Sequence, residues 1–148
     1  MSHIESFIAY AGEFEETLAD DDWSRLLKHF CEDAVYEVDS GSFGCRLDGP
    51  TAIFKGMKKS LDGFDRKFDG RDVAIDSGPE LDGDEMRVSW SVTYKKEGLE
   101  PYVLRGRSEA RFRDGKIAYL ADRYDASVDA DALAWQQANG LELDPRYV

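Results

Sequence analysis

Three side chains in this sequence can take part in proton transfer. Asp122 shares one face of an apolar strand pattern with Leu120 and Tyr124, and a desolvated carboxyl can act as a general base or acid. Tyr36 can donate a hydrogen bond to a ligand oxygen, although a tyrosine beside a core is more often simply packed there. His29 lies one position from a predicted buried helical stripe, where histidines are usually structural. Strand alternation alone leaves open whether Asp122 points inward or to solvent.

The sequence predicts neither a metal site nor a phosphate site. Neither histidine has companion ligands at the spacing that a metal needs. The acidic runs at 20–22 and 82–85 lack the twelve-residue calcium loop, so we interpret them as caps and turns. The segment 40–44 is no nucleophile elbow, because it precedes a loop and not a strand-to-helix turn. We therefore expect chemistry without a metal or an organic cofactor.

The amino-acid composition indicates which binding partners and which cellular compartment to expect. The 148 residues fit one domain, 1–148, and 31 acidic against 19 basic residues give a net charge of −12. This charge repels phosphate backbones and anionic lipid surfaces, so nucleic acid and membranes are not expected partners. Cys31 and Cys45 form no disulfide framework, and the N-terminus lacks a secretory pattern. We therefore expect reduced thiols and a cytoplasmic protein.

Four segments carry apolar residues at helical spacing. The first covers 4–18, and the second, 23–30, follows three aspartates that can cap it. The third begins at Pro50, since proline loses nothing at the first helical position, and a closing helical cap occupies 127–140. The predicted buried positions are Ile4, Phe7, Ile8, Ala11, Phe14 and Leu18 in the first helix, Trp23, Leu26, Leu27 and Phe30 in the second, Ile53, Phe54, Met57, Leu61 and Phe64 in the third, and Ala130, Leu133, Ala134 and Trp135 in the last.

The remaining elements are predicted strands. From Asp72 onward the apolar period changes from about 3.6 to 2, and glycine-containing turns divide the chain. Helices followed by a meander indicate an α+β fold, with helices on one face of a curved antiparallel sheet and one pocket between them. The predicted strands are 34–39, 72–80, 85–96, 101–113 and 116–125.

Three motifs in this order resemble the nuclear transport factor 2-like superfamily, particularly its SnoaL-like (polyketide cyclase-like) branch. They are FCEDAVYE at 30–37, DGPTAI at 48–53, and DGKI at 114–117 leading to DRYD at 122–125. The resemblance covers 5–126 and implies a cone-shaped fold. Its members include polyketide cyclases, ketosteroid isomerases, limonene epoxide hydrolases, scytalone dehydratases and noncatalytic modules, so the fold leaves the function open.

Family chemistry carries over onto few positions. Asp122 matches the general base of polyketide cyclases, and the resemblance implies that it lies in an aromatic pocket where burial raises its pKa. The base of the isomerases falls on Val38, and their oxyanion-hole tyrosine falls on Phe14, which has no hydroxyl. Two catalytic positions of the epoxide hydrolases fall on Ser91 and Thr93. Standard isomerase and hydrolase chemistry is therefore not expected.

The strand around Trp90 allows two orientations. Hydrophobic burial turns Trp90, Val92 and Tyr94 inward, whereas the family alignment turns Ser91 and Thr93 toward the pocket. Both requirements are met if the outer face is covered by a second copy of the chain, so a homodimer is predicted. Its contact face is Trp90, Val92, Tyr94 and Tyr119.

These observations predict a small-molecule enzyme that moves a proton with Asp122. Its ligand is expected to be an apolar, carbonyl-bearing compound undergoing cyclisation, isomerisation or dehydration. The alternative is a noncatalytic ligand-binding or dimerising accessory module, similar to the β subunits of ring-hydroxylating dioxygenases. The predicted catalytic set is Asp122, Tyr36 and His29, and the predicted pocket is Phe14, Phe30, Val38, Phe54, Ser91, Thr93, Tyr102, Leu104 and Tyr124.

Overall fold

The chain begins with an amphipathic helix, as its periodicity predicts. The computed structural model describes residues 2–148, and α1 spans His3–Asp20. The Ser2 hydroxyl caps α1 by accepting a hydrogen bond from the backbone N–H of Glu5. The most buried side chains of α1 are those of Tyr10 and Thr17, which the predicted stripe did not include.

The predicted second helix is a 3₁₀ helix, Trp23–His29. Three residues per turn bring Trp23, Leu26 and His29 to one face, and Leu26 is fully buried. Leu27, predicted to be buried, is instead 56% exposed because the tighter winding turns it away from the core. Strand β1 then covers Phe30–Asp39, and a short strand β2, Cys45–Asp48, which was not predicted, pairs with it.

Helix α2, Pro50–Gly63, starts at the predicted proline, and a 3₁₀ turn, Asp65–Lys67, follows it. The predicted stripe of α2 is confirmed, because its members lie in the core or pack against it. At the other end of the chain, α3 spans Ser127–Asn139 and stops at Gly140, whose φ of 67° is readily adopted by glycine.

Four long strands follow α2 in sequence and agree with the predicted meander. They are β3 (Gly70–Asp82), β4 (Glu85–Lys95), β5 (Tyr102–Arg113) and β6 (Lys116–Arg123). The curved sheet has the order β2-β1-β6-β5-β4-β3, and every neighbouring pair is antiparallel except β1 and β6. The α+β class is therefore confirmed, with one parallel pair that the pattern did not predict.

The inner face of the sheet packs on the helices and forms two apolar clusters. The larger cluster joins α1, the first 3₁₀ helix and α2 to β1, β4, β5 and β6. The smaller cluster surrounds Phe64, Val92, Tyr94 and Tyr102, with Trp135 of α3 packed against it. On β5 the predicted alternation is confirmed, since the arginines are exposed and the residues between them are mostly buried.

Both cysteines, Cys31 and Cys45, are free thiols. None of the helices within residues 2–148 combines the length and the apolarity needed to cross a bilayer.

Candidate functional site

A cavity of about 210 Å³ lies between the two apolar clusters. Side chains of α1, α2, the inner faces of β3 to β6, α3 and the end of the chain line it. Val73 and Ile75 also line the cavity and are about half exposed, so it opens to solvent beside β3. Aromatic and aliphatic side chains form most of the wall, and the aromatic ones include Tyr10, Phe14, Tyr36, Trp90, Tyr124 and Tyr147.

The Asp122 carboxyl faces this cavity and is held by two hydroxyl groups. The Tyr36 hydroxyl donates to Oδ2 at 2.5 Å, and the Ser108 hydroxyl donates to Oδ1 at 2.7 Å. The indole N–H of Trp90 donates to Ser108 Oγ at 2.8 Å and so orients that hydroxyl toward Asp122. The register explains the grouping, because Ser108 is the cross-strand partner of Asp122 and Tyr36 lies on the adjacent parallel strand.

Burial raises the pKa of Asp122 above its ordinary value, and the hydrogen bonds from Ser108 and Tyr36 partly offset the rise. Tyr36 is buried, and burial next to Asp122 raises the pKa of its phenol far above the ordinary range. At neutral pH, Tyr36 is therefore neutral and acts as a hydrogen-bond donor. The arrangement thus combines a desolvated carboxyl with a neutral hydroxyl at the boundary of an apolar space, which suits general acid or base work.

Tyr147 is a site residue that the sequence analysis missed. Its hydroxyl lies 3.4 Å from the Tyr36 hydroxyl, and the two rings are 5.7 Å apart in an edge-to-face arrangement. Burial raises the pKa of Tyr147 far above that of a free tyrosine, with a further contribution from Asp122. No periodic pattern predicts the position of Tyr147, because this residue belongs to an irregular segment after α3.

A second polar group lines the cavity at α1 and β3. Arg71 pairs with Asp65 at 2.9 Å through Nε and also contacts the Glu15 carboxylate through Nη1. The Tyr94 hydroxyl donates to Asp65 Oδ2 at 2.9 Å. Charge pairing with Asp65 and Glu15 outweighs burial and raises the pKa of Arg71, so the guanidinium stays charged. These bonds join α1 to β3 and the turn after α2.

The structure brings together two of the three predicted catalytic residues. Asp122 and Tyr36 are hydrogen-bonded at the cavity, whereas His29 does not line it. The His29 ring pairs with the Glu13 carboxylate and packs edge-on against Tyr10. The structure therefore does not bring His29 to the cavity, because its side chain bonds to Glu13 and so links α1 to the 3₁₀ helix.

Four of the nine predicted pocket residues line the cavity, and five do not. Phe14, Tyr102, Leu104 and Tyr124 line the cavity. Three other members belong to the neighbouring apolar cluster or pack against it, and two lie on the opposite face of β4. The members found in the core are Phe30, Val38 and Phe54, and those on the opposite face are Ser91 and Thr93.

Hydrophobic burial, and not the family alignment, sets the orientation of β4. Trp90, Val92 and Tyr94 line the cavity, so the predicted dimer face is wrong for these three residues. Tyr119 does lie on the outer face, where its hydroxyl donates to Glu37 at 2.9 Å. Homodimerisation itself stays a prediction.

Within residues 2–148, no cluster of three His, Cys, Asp or Glu side chains could hold a metal ion.

Comparison with known proteins gives a family match and a set of similar structures. Residues 11–120 match the family model of the SnoaL-like domain. Curated protein sequences gave no match. Among solved structures, TerC co-crystallised with polyporic acid has a TM-score of 0.64 at 19% identity, over 91% of this chain and 95% of TerC.

Two bacterial structures show the same similarity. A candidate isomerase from Bacillus subtilis has a TM-score of 0.66 at 18% identity, over 90% of this chain and 96% of its own. A candidate polyketide cyclase from Xanthomonas campestris pv. campestris has a TM-score of 0.60 at 18% identity, over 90% and 98%. At such identities the similarity concerns the fold.

Proposed function

Because the chain belongs to the SnoaL-like domain family, as the order of its motifs indicated, we propose that it is a small-molecule enzyme. Its substrate is an apolar compound with a carbonyl group, and Asp122 moves a proton on the carbon next to that carbonyl. Isomerisation, cyclisation and dehydration all begin with such a step. The observation that carries the proposal is the Asp122 carboxyl, held by two hydroxyl groups in an aromatic cavity.

In the proposed step the Asp122 carboxylate takes a proton from the α-carbon of the ligand. The electron pair of that C–H bond forms a carbon–carbon double bond, and the carbonyl π pair moves to oxygen. Returning the proton to carbon regenerates the ketone, and returning it elsewhere isomerises the ligand. Because burial raises the pKa of Asp122 toward that of the acid it must deprotonate, the transfer becomes less unfavourable.

The wall of the cavity supports an apolar ligand. Most of its lining is aromatic or aliphatic, and polar groups are concentrated around Asp122 and Arg71. The polyporic acid held by TerC supports a small organic molecule as the ligand class. A few placed polar groups in an apolar pocket are typical of small-molecule sites.

The second candidate is a noncatalytic ligand carrier, which the predominance of apolar wall over ionisable groups favours. A dimerising accessory module has less support, because the aromatic row of β4 is turned inward and the cavity is not filled by side chains. A carrier binds the ligand without changing it, so binding and proton exchange separate the two candidates. The cytoplasmic location stays a prediction.

We expect the wild-type protein to exchange the α-protons of 2-tetralone, a compact apolar ketone, in D₂O. The Asp122 carboxylate takes a proton from carbon, equilibrates with solvent and returns a deuteron, which NMR detects as loss of the α-proton signal. Equal concentrations of unfolded protein and buffer acetate are the controls. Binding of 2-tetralone without exchange above these controls would support the carrier and contradict the enzyme.

Ser108→Ala is expected to shift the pH dependence of this exchange to higher pH. The Ser108 hydroxyl bonds to the charged carboxylate and lowers the pKa of Asp122, so its removal raises that pKa further. The rate of a base-catalysed exchange rises with pH as the base deprotonates, and the midpoint of that rise should follow the pKa. The matched control is Ser91→Ala, on the opposite face of β4, whose profile should match wild type. An unchanged midpoint in Ser108→Ala would refute the assignment.

A further inference from the structure

The C-terminal tail, residues 140–148, lies along α2 without regular secondary structure of its own. Ser60 Oγ donates to the backbone oxygen of Pro145 at 2.7 Å, and the backbone N–H of Asp144 donates to the oxygen of Gly63 at 3.0 Å. The small side chains on this face of α2 allow the close approach. A Cβ on Gly63 would lie 2.1 Å from the backbone oxygen of Asp144, so even alanine displaces the tail.

This attachment places the Tyr147 hydroxyl beside the hydrogen-bonded group of Tyr36 and Asp122. Tyr36 has one hydroxyl proton, and its 2.5 Å bond to Asp122 uses that proton. The two phenol oxygens lie 3.4 Å apart. Since the Tyr36 proton is bonded to Asp122, we infer that Tyr147 is the donor in this contact and Tyr36 the acceptor. Such a bond is long compared with the usual 2.7–2.8 Å for two hydroxyl groups, so it is weak. A ligand oxygen can therefore replace Tyr36 as its acceptor.

We propose that Tyr147 is a catalytic residue that donates a hydrogen bond to the carbonyl oxygen of the ligand while Asp122 moves the proton on the adjacent carbon. This proposal rests on the proposed function, to which it adds the group that donates a hydrogen bond to the carbonyl oxygen. The tail is then part of the active site, although it lies beyond the segment 11–120 shared with the family. Two hydrogen bonds in series connect Tyr147 to Asp122, so one small ligand can contact both groups.

The Tyr147 hydroxyl should also make the cavity prefer ligands that carry an oxygen atom. An enol or phenol oxygen can occupy the place of the carbonyl oxygen, so planar phenols such as 2-naphthol should bind better than hydrocarbons of the same shape. Because burial keeps Tyr147 protonated, it can also stabilise the negative charge that develops on oxygen during proton abstraction. Tyr147 should therefore affect the exchange rate more strongly than ground-state binding.

The test measures fluorescence binding of 2-naphthol and of naphthalene to wild type and Tyr147→Phe. We expect wild type to prefer 2-naphthol, and Tyr147→Phe to bind it roughly three- to tenfold more weakly with unchanged naphthalene affinity. The exchange rate of 2-tetralone should fall at least roughly tenfold. Tyr119→Phe is the matched control, because its hydroxyl bonds to Glu37 on the outer face, and it should match wild type.

Gly63 itself does not line the cavity, so Gly63→Ala acts on the site only by displacing the tail that carries Tyr147, and it should reproduce the loss of 2-naphthol preference. Equal affinity of wild type for both probes, or no binding of either, overturns the proposal. So does an unchanged 2-naphthol affinity in Tyr147→Phe. If wild type shows the preference and Tyr147→Phe loses it, but 2-tetralone is not exchanged, the hydrogen bond stands and the enzymatic function fails.

Discussion

Asp122→Asn is expected to lower the rate of 2-tetralone exchange roughly a hundred- to ten-thousand-fold, since an amide cannot accept the α-proton. The shape of the side chain is retained. The amide oxygen can still accept from the Tyr36 hydroxyl, and the amide N–H can donate to Ser108 Oγ. Ligand binding should therefore survive, so that the loss appears in the turnover rate and not in the affinity for 2-naphthol. NMR exchange rates at saturating ligand measure this loss.

The same substitution is expected to raise the melting temperature at neutral pH. Burial raises the pKa of Asp122 in the folded protein, which means that the folded state disfavours the charged carboxylate relative to the unfolded chain. The free energy of unfolding of wild type therefore falls as pH rises from the ordinary aspartate pKa through the raised folded pKa. Asparagine carries no such charge, so its advantage should be largest above the folded pKa and shrink in acid.

Glu109→Gln is the matched control for Asp122→Asn. Glu109 lies on the outer face of β5, where it pairs with Arg123 at 3.2 Å. Its neutralisation should leave the exchange rate unchanged. Two outcomes contradict the assignment of Asp122: an Asn variant that keeps the wild-type exchange rate, and an Asn variant whose melting temperature relative to wild type does not depend on pH.

The sequence predicted those elements whose apolar period is regular. The β5 alternation fixed the inward row from Tyr102 to Phe112, because charged side chains at every second position can only face solvent. The sequence pattern predicted α2 equally well. It did not predict β2, whose four residues alternate only between half-buried and exposed. It also missed the winding at 23–29, where three residues per turn replaced the expected 3.6.

A site residue could be predicted from the sequence only where it lies on a strand with a regular apolar pattern. Asp122 and Tyr36 lie on strands recognisable from the sequence, and the register of β1 and β6 brings them together. Trp90 was assigned to the wrong face because the family alignment was preferred to burial of its large apolar ring. Tyr147 could not be predicted, since its position depends on tertiary contacts between an irregular tail and α2.

Ile53→Ala should destabilise the fold by about 2 to 5 kcal/mol, because Ile53 on α2 is fully buried in the larger cluster and its truncation leaves a cavity. Ile8→Ala on α1 is the matched control, an isoleucine in a helix that is 57% exposed, and it should cost less than about 0.5 kcal/mol. The sequence pattern assigned both isoleucines to buried stripes, so this pair also tests the structure against the pattern. Urea titration gives both free energies of unfolding, and equal losses would mean that α1 packs as the pattern predicted and not as Tyr10 and Thr17 indicate.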